Sequence, residues 1–303
     1  MNLAVVTDLL ASMIRITTPI LLMALGGMMC ERVNVFNIAL EGMALVGAFF
    51  SIAFVQFSGG SVVVGLFGGM LSGFLYAALF GLFILKFKAN HIITSIALNT
   101  LASGLTQFLL RAMFDVQGTY KPDTINKLQD INIPGLNKVP ILGAISGQSI
   151  VTYIAVVMVI LLAIFLKRTK RGLRFWSVGE SENAARTAGI NPVVEKWKAT
   201  LFSGIMCGLA GGYLSCIIVS SFTKEMIAGR GFTAFTAYTF GGAMPVGSAL
   251  ASMLFGFAEA VGIRIELLGS SIPTAVINMF PYFVAIIALG FSSYSRKRKI
   301  IGI

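Results

Sequence analysis

Six polar side chains stand in stretches that are otherwise apolar, and they are the natural places to look for chemistry: Asn37, Glu41, Asn99, Ser103, Gln107 and Glu259. Polar groups in such surroundings are costly and often functional. Asn37 and Glu41 are four residues apart, a spacing that predicts one shared helix face. Asn99, Ser103 and Gln107 repeat the spacing among Ile, Leu, Ala and Phe. Amide, hydroxyl and carboxylate groups in this pattern can line a polar path, or they can cap helices and bond neighbouring helices. Both readings stand on spacing alone. Glu259 needs a partner or water, and Arg264, five residues on, is poorly placed to be one. An aromatic set, Phe232, Phe235, Tyr238 and Phe240, can stack on a flat solute or pack a core.

Other chemistries lack their parts. The chain has no G-x-x-x-x-G-K-[ST] phosphate loop, no G-x-S-x-G and no H-E-x-x-H. Cys30, Cys207 and Cys216 have no metal-site spacing, and His91 is the single histidine. No catalytic residue, metal or cofactor is therefore expected in this chain.

The elements that position these residues are set by composition. Of 303 residues, 56% are hydrophobic and 12% charged, against about 25% charged in soluble domains. Mean hydropathy is +0.87. Runs near 9–29, 35–57, 61–85, 92–114, 149–166, 199–221, 232–243, 246–264 and 273–292 approach the ~20 residues that cross a bilayer. They do not alternate as barrel strands would. The expectation is an all-α polytopic membrane protein forming one transmembrane domain over 1–303, with about eight to ten spans and nine as the best count. The 232–243 run is too short to span, and Gly241-Gly242 and Pro245 interrupt it. It predicts a discontinuous helix, whose backbone dipoles would face a solute. The first run ends in Cys30-Glu31-Arg32 with no small-residue cleavage pattern, so it reads as a span and not a signal peptide.

The net charge of +11 resolves into short clusters. The 167–198 connection carries eight Lys and Arg against three acids, so it should be cytoplasmic, as should Lys86/Lys88 and the C-terminal tail around Arg296 to Lys299. The same cations could serve a lipid surface secondarily; no nucleic-acid partner is needed. The charge-balanced 115–148 connection should lie outside as an ordered loop, and the N-terminus with it. Within 167–198, Ser181 is a helix N-cap, Glu182 suits the first turn, Ala184, Ala185 and Ala188 form a narrow face, Gly189 ends the helix and Pro192 prevents its resumption. Two turns of helix are marginal in water, so this one should either dock on another protein or lie flat on the lipid headgroups.

Gly172 to Glu180, Ala184-Ala185 and Ala188-Gly189-Ile190 resemble the cytoplasmic loop of ABC importer permeases of the simple-sugar, branched-chain amino acid and nucleoside subgroup. Glu31 to Gly42 resembles the motif between that subgroup's early helices. Gly229 to Phe235, with Phe240 to Gly247, resembles its late Gly-rich motif. The resemblance covers about residues 10–292 and is nearest to the shorter permease of bacterial nucleoside importers with a basic-membrane-protein-type lipoprotein receptor. It implies a multi-pass protein of the bacterial cell membrane, paired with a second homologous permease. It further implies two separate ATPase subunits that bind ATP and Mg, and an extracellular substrate-binding lipoprotein. Under it, Glu180, Ser181, Glu182, Ala184, Ala185, Arg186, Ala188 and Gly189 couple to the ATPase, and replacing Ala184 or Ala185 by Glu uncouples hydrolysis from transport. Simple sugars such as pentoses are the alternative solutes. The alternative mechanism is a secondary transporter, for which Glu41 and Glu259 would supply the ion site.

Overall fold

A computed structural model describes residues 3–132 and 142–267. The expected 273–292 span, the basic tail and the middle of the 115–148 connection lie outside these residues.

Ten α-helices follow in chain order: α1 Leu3–Glu31, α2 Leu40–Phe57, α3 Val62–Gly81, α4 His91–Phe114, α5 Ile150–Arg168, α6 Lys170–Glu180, α7 Glu182–Thr187, α8 Pro192–Gly212, α9 Arg230–Phe240 and α10 Pro245–Leu267. Wider turns extend α3 through Lys86 and α8 through Val219. Among the described residues, seven helices are long and apolar enough to cross a membrane. They match seven of the nine runs. The run at 232–243 becomes α9, whose 11 residues reach about 16 Å, roughly half of a ~30 Å hydrocarbon layer.

The core is built on missing side chains. Gly69 and Gly73 of α3 face Gly204 and Gly208 of α8, each pair in small-xxx-small spacing. A Cβ at Gly208 would collide with the Gly69 carbonyl, and one at Gly204 with the Gly73 carbonyl. Gly47 brings α2 against the same Gly208 backbone. Large apolar side chains point away from this seam: Phe67, Leu71 and Leu75 on α3, and Ile93 and Phe108 on α4, are exposed. That is the pattern of a lipid-facing belt.

The bundle has two distinct ends. At one, the 115–132 segment is ordered, as expected. Thr119–Tyr120 (β1) pairs antiparallel with Phe222–Thr223 (β2), Tyr120 stacks on Phe114 at 3.9 Å, and Gln56 donates to Asp123 at 2.7 Å. At the other, basic end lie α6 and α7. Ser181 caps α7, accepting from Ala184 N–H at 3.3 Å, and Gly189 adopts φ +76°, as the sequence predicts. Two boundaries differ from expectation. Pro192 does not merely stop a helix; with Asn191 as N-cap it opens α8 seven residues before the expected 199. The stretch before Ser181 forms α6, burying Phe175 and Val178 while Arg171, Leu173 and Arg174 face out.

Candidate functional site

The chain leaves helical form in two connections, 32–39 and 220–229, and α9 touches the first and follows directly from the second. The first is at 32–39. The 35–57 run is not one helix: α2 starts at Leu40, and residues 32–39 before it are turn and irregular backbone. Asn37 therefore shares no helix face with Glu41. Its Oδ1 accepts from Ala39 N–H at 2.9 Å, and its Nδ2 donates to Ser203 at 3.1 Å. Wholly buried, it holds the break shut.

Non-helical backbone at membrane depth must find partners inside the protein. Here α4 supplies them at four-residue intervals. Phe36 N–H donates to His91 Nδ1 (3.1 Å) and Ile38 N–H to Ser95 (3.2 Å). Asn99 accepts from Gly42 N–H (2.8 Å) and donates to the Ile38 carbonyl (3.1 Å). The polar stripe expected at Asn99, Ser103 and Gln107 thus begins two steps earlier, at His91. Its first three members clasp backbone. The last two face elsewhere: Gln107 donates to Ser103 at 3.0 Å, and Ser103 donates to Glu225.

The second break is the connection 220–229. After pairing with β1, the chain turns inward through left-handed residues at Glu225 (φ 56°), Ala228 (φ 53°) and Gly229 (φ 81°). Non-glycine residues in this region are uncommon and cluster at working sites. The chain then enters α9 with its N-terminus inside the bundle. A helix N-terminus presents unpaired N–H groups and positive potential. Glu41 fills that role from across the fold, accepting from Gly229 N–H at 2.8 Å and Gly231 N–H at 2.6 Å. Arg230, the first residue of α9, pairs with Glu259 of α10 at 2.6 Å. The partner sought for Glu259 is therefore Arg230 and not Arg264. Beside Arg230 a cavity of about 370 Å³ is also lined by Arg15, Gln148, Ser149 and Tyr213.

The aromatic set divides. Tyr238 is fully buried, its ring occupying the space a side chain at Gly27 would need. Phe235 packs edge-on against Phe36 at 5.1 Å and Tyr238 at 5.3 Å. These two rings fix α9 to the 32–39 break, so the structure places them in packing. Phe232, one turn from the N-terminus of α9, is exposed, and Thr236 and Thr239 follow it on the same face.

The other end of α9 reaches the basic end of the bundle. Arg32 donates from Nε to the Ala243 carbonyl (2.5 Å) and from Nη2 to the Gly242 carbonyl (2.8 Å). Its guanidinium lies 4.4 Å over the Trp176 ring of α6. Partial burial pushes its pKa below the usual arginine value, while the Glu180 and Glu31 carboxylates push it back up. Asn34 donates to the Gly179 carbonyl at 2.6 Å, and a Cβ at Gly179 would collide with the Arg32 backbone. From α6 the chain passes into α7. There Ala185 is buried, while Ala184, Arg186, Ala188 and Gly189 are exposed, so the expected alanine face is divided. Glu182 pairs with Lys196, and Glu180 and Ser181 are exposed.

Residues 9–289 match the family model described as the branched-chain amino acid transport system / permease component. The guanosine ABC transporter permease protein NupQ of Bacillus subtilis is 34% identical over 94% of this chain and 92% of its own length. The nucleoside ABC transporter permease protein NupC of Lactococcus lactis is 33% identical over 93% and 90%. The guanosine ABC transporter permease protein NupP, also of B. subtilis, is 25% identical over 95% of this chain and 82% of its own length. With seven membrane-length apolar helices and a family match over nearly its whole length, this multi-pass membrane protein belongs to the branched-chain amino acid transport system permease family.

Proposed function

We propose that the chain is one of two permeases forming the membrane core of an ATP-driven nucleoside importer. The observation that carries this reading is α9, a half-length helix held at both ends. Glu41 anchors its N-terminus inside the bundle, and Arg32 ties its C-terminal turn to Trp176 beside the coupling loop. Displacement of that loop has a polar, directional route to the broken helix.

In this reading 167–198 is cytoplasmic, 115–148 is outside, and the C-terminus is cytoplasmic. ATP and Mg sit on separate ATPase subunits. When those subunits close, they push α7 through the exposed Ala184, Arg186, Ala188 and Gly189. An external binding lipoprotein delivers the solute. The solute passes along Ser103, Gln107 and Glu225 and along the face of α9 that carries Phe232, Thr236 and Thr239, with the second permease completing the wall. Carboxylate, amide and hydroxyl groups suit the hydroxyls and base edge of a nucleoside, and Phe232 offers a ring for stacking. The nucleoside assignment rests on NupQ and NupC.

A secondary transporter would need a membrane carboxylate free for an ion. Glu41 is held by two N–H groups and Glu259 by Arg230, which favours the ATP-driven reading. Reconstitution tests it: the chain, with the ATPase and permease that co-purify, accumulates radiolabelled nucleoside in proteoliposomes only with ATP. Accumulation of a pentose and no nucleoside replaces the solute; uptake on an ion gradient without ATP overturns the mechanism.

A further inference from the structure

A groove of about 860 Å³ lies at the basic end between α5, α6 and α8, apart from both chain breaks. Its inner wall is apolar: Leu162, Phe165 and Phe202. Its rim is cationic, carrying Arg171, Arg174 and Lys198. Glu195 is the one acid there, and it pairs with Lys198 at 2.8 Å. Arg171 and Arg174 are exposed and take part in none of the three ion pairs among the described residues. The rim therefore carries a surplus of two positive charges.

Apolar wall and cationic rim are stacked along the axis of α5, the first on its last apolar turns and the second just past its end. This is the layering of a phospholipid, with acyl chain against the helix and phosphate at the headgroup level. The groove also opens sideways. Leu161 and Ile164, which line it, are 52% and 48% exposed on the outer face of α5, so a chain can enter from the bilayer without crossing polar ground. A soluble anion would need the rim and gain nothing from the wall.

We infer that this groove is a binding site for an anionic glycerophospholipid, its phosphate held between Arg171 and Arg174 and an acyl chain lying along Leu162 and Phe165. Because both arginines belong to α6, which carries Trp176 and leads into α7, the bound lipid fixes the height of the coupling loop at the membrane surface.

The test uses the full-length chain in nanodiscs of phosphatidylcholine alone or with phosphatidylglycerol, read by melting temperature and by lipid retained in native mass spectrometry. The expected result is a higher melting temperature with phosphatidylglycerol and at least one such lipid retained per chain. Arg171→Ala/Arg174→Ala loses both, with its melting temperature in phosphatidylcholine unchanged. Leu161→Trp, at an exposed position, blocks the slot, leaves every charge in place and loses retention too, which keeps the test decisive if the arginine variant does not fold. Glycerol phosphate in the buffer, a headgroup without chains, shifts nothing. Equal melting in both lipids, retention surviving either folded variant, or a shift from glycerol phosphate overturns the inference. So does efficient cross-linking of Arg174→Cys to a second polypeptide, which would make the groove a protein interface.

Discussion

Arg32 and Ala243 lie 211 positions apart in the chain, and the side chain of one ends on the carbonyl of the other at 2.5 Å. The carbonyl belongs to the turn that closes α9. A second bond to Gly242 makes the contact a fork, and the opposite face of the guanidinium rests on Trp176. One planar cation thus touches the broken helix and the proposed coupling loop at once.

Lysine cannot reproduce that geometry, being a point charge without a planar fork. Arg32→Lys should preserve membrane insertion and lower uptake per ATP hydrolysed by about ten- to a hundred-fold, the effect of losing one charge-assisted bond worth roughly 1.5–3 kcal/mol. Parallel ATPase and uptake assays read the ratio. An unchanged ratio removes Arg32 from the coupling route.

Glu41→Gln tests the other end of α9. A carboxylate offers an oxygen to each of Gly229 and Gly231. The amide turns an N–H toward one of them and leaves a donor facing a donor. A loss of about 1–3 kcal/mol, the usual consequence of an unsatisfied buried donor, should appear as a lower melting temperature and reduced uptake.

The two alanines of α7 should separate. Ala184 is exposed and Ala185 is 1% exposed. Ala184→Glu should leave melting unchanged and uncouple ATP hydrolysis from transport, whereas Ala185→Glu should destabilise the loop itself. Identical behaviour of the two variants would contradict the docking face.

Gly208→Ala should be severe, because its Cβ meets Gly69 backbone that has nowhere to move; overpacking of this kind costs about 1–3 kcal/mol or more. Gly104→Ala on α4 meets nothing within 4 Å and should be neutral. Folded yield and melting temperature of the pair check the seam.

Much of this architecture is legible in the sequence because lipid imposes a strict length on apolar runs. Seven spans, the shortness of α9 and the caps of α7 follow from residue type and position. The start of α2 does not: Val35-Phe36-Asn37-Ile38-Ala39 is equally apolar whether helical or irregular, and only the backbone acceptors and donors of α4 decide. That decision left a trace in the recurrence of His91, Ser95 and Asn99 at four-residue spacing. Arg230 and Glu259 meet only because α9 folds against α10, a relation that no local pattern encodes. Tyr238 is unreadable for the same reason. An aromatic in a short helix has the same spelling in a pore or a core, and only the bare backbone at Gly27 opposite reveals which.

Where α3 and α8 cross, backbone meets backbone with no layer of side chains between. Such a seam has no rotamers to exchange and no slack to slide through, so it behaves as a weld. Any change of shape in the bundle must then be taken up where elements are joined by polar contacts, which can be traded for others: at the ends of α9, along α4, and at the foot of α6. The glycines thereby define the frame of the machine, and by elimination they mark its moving parts.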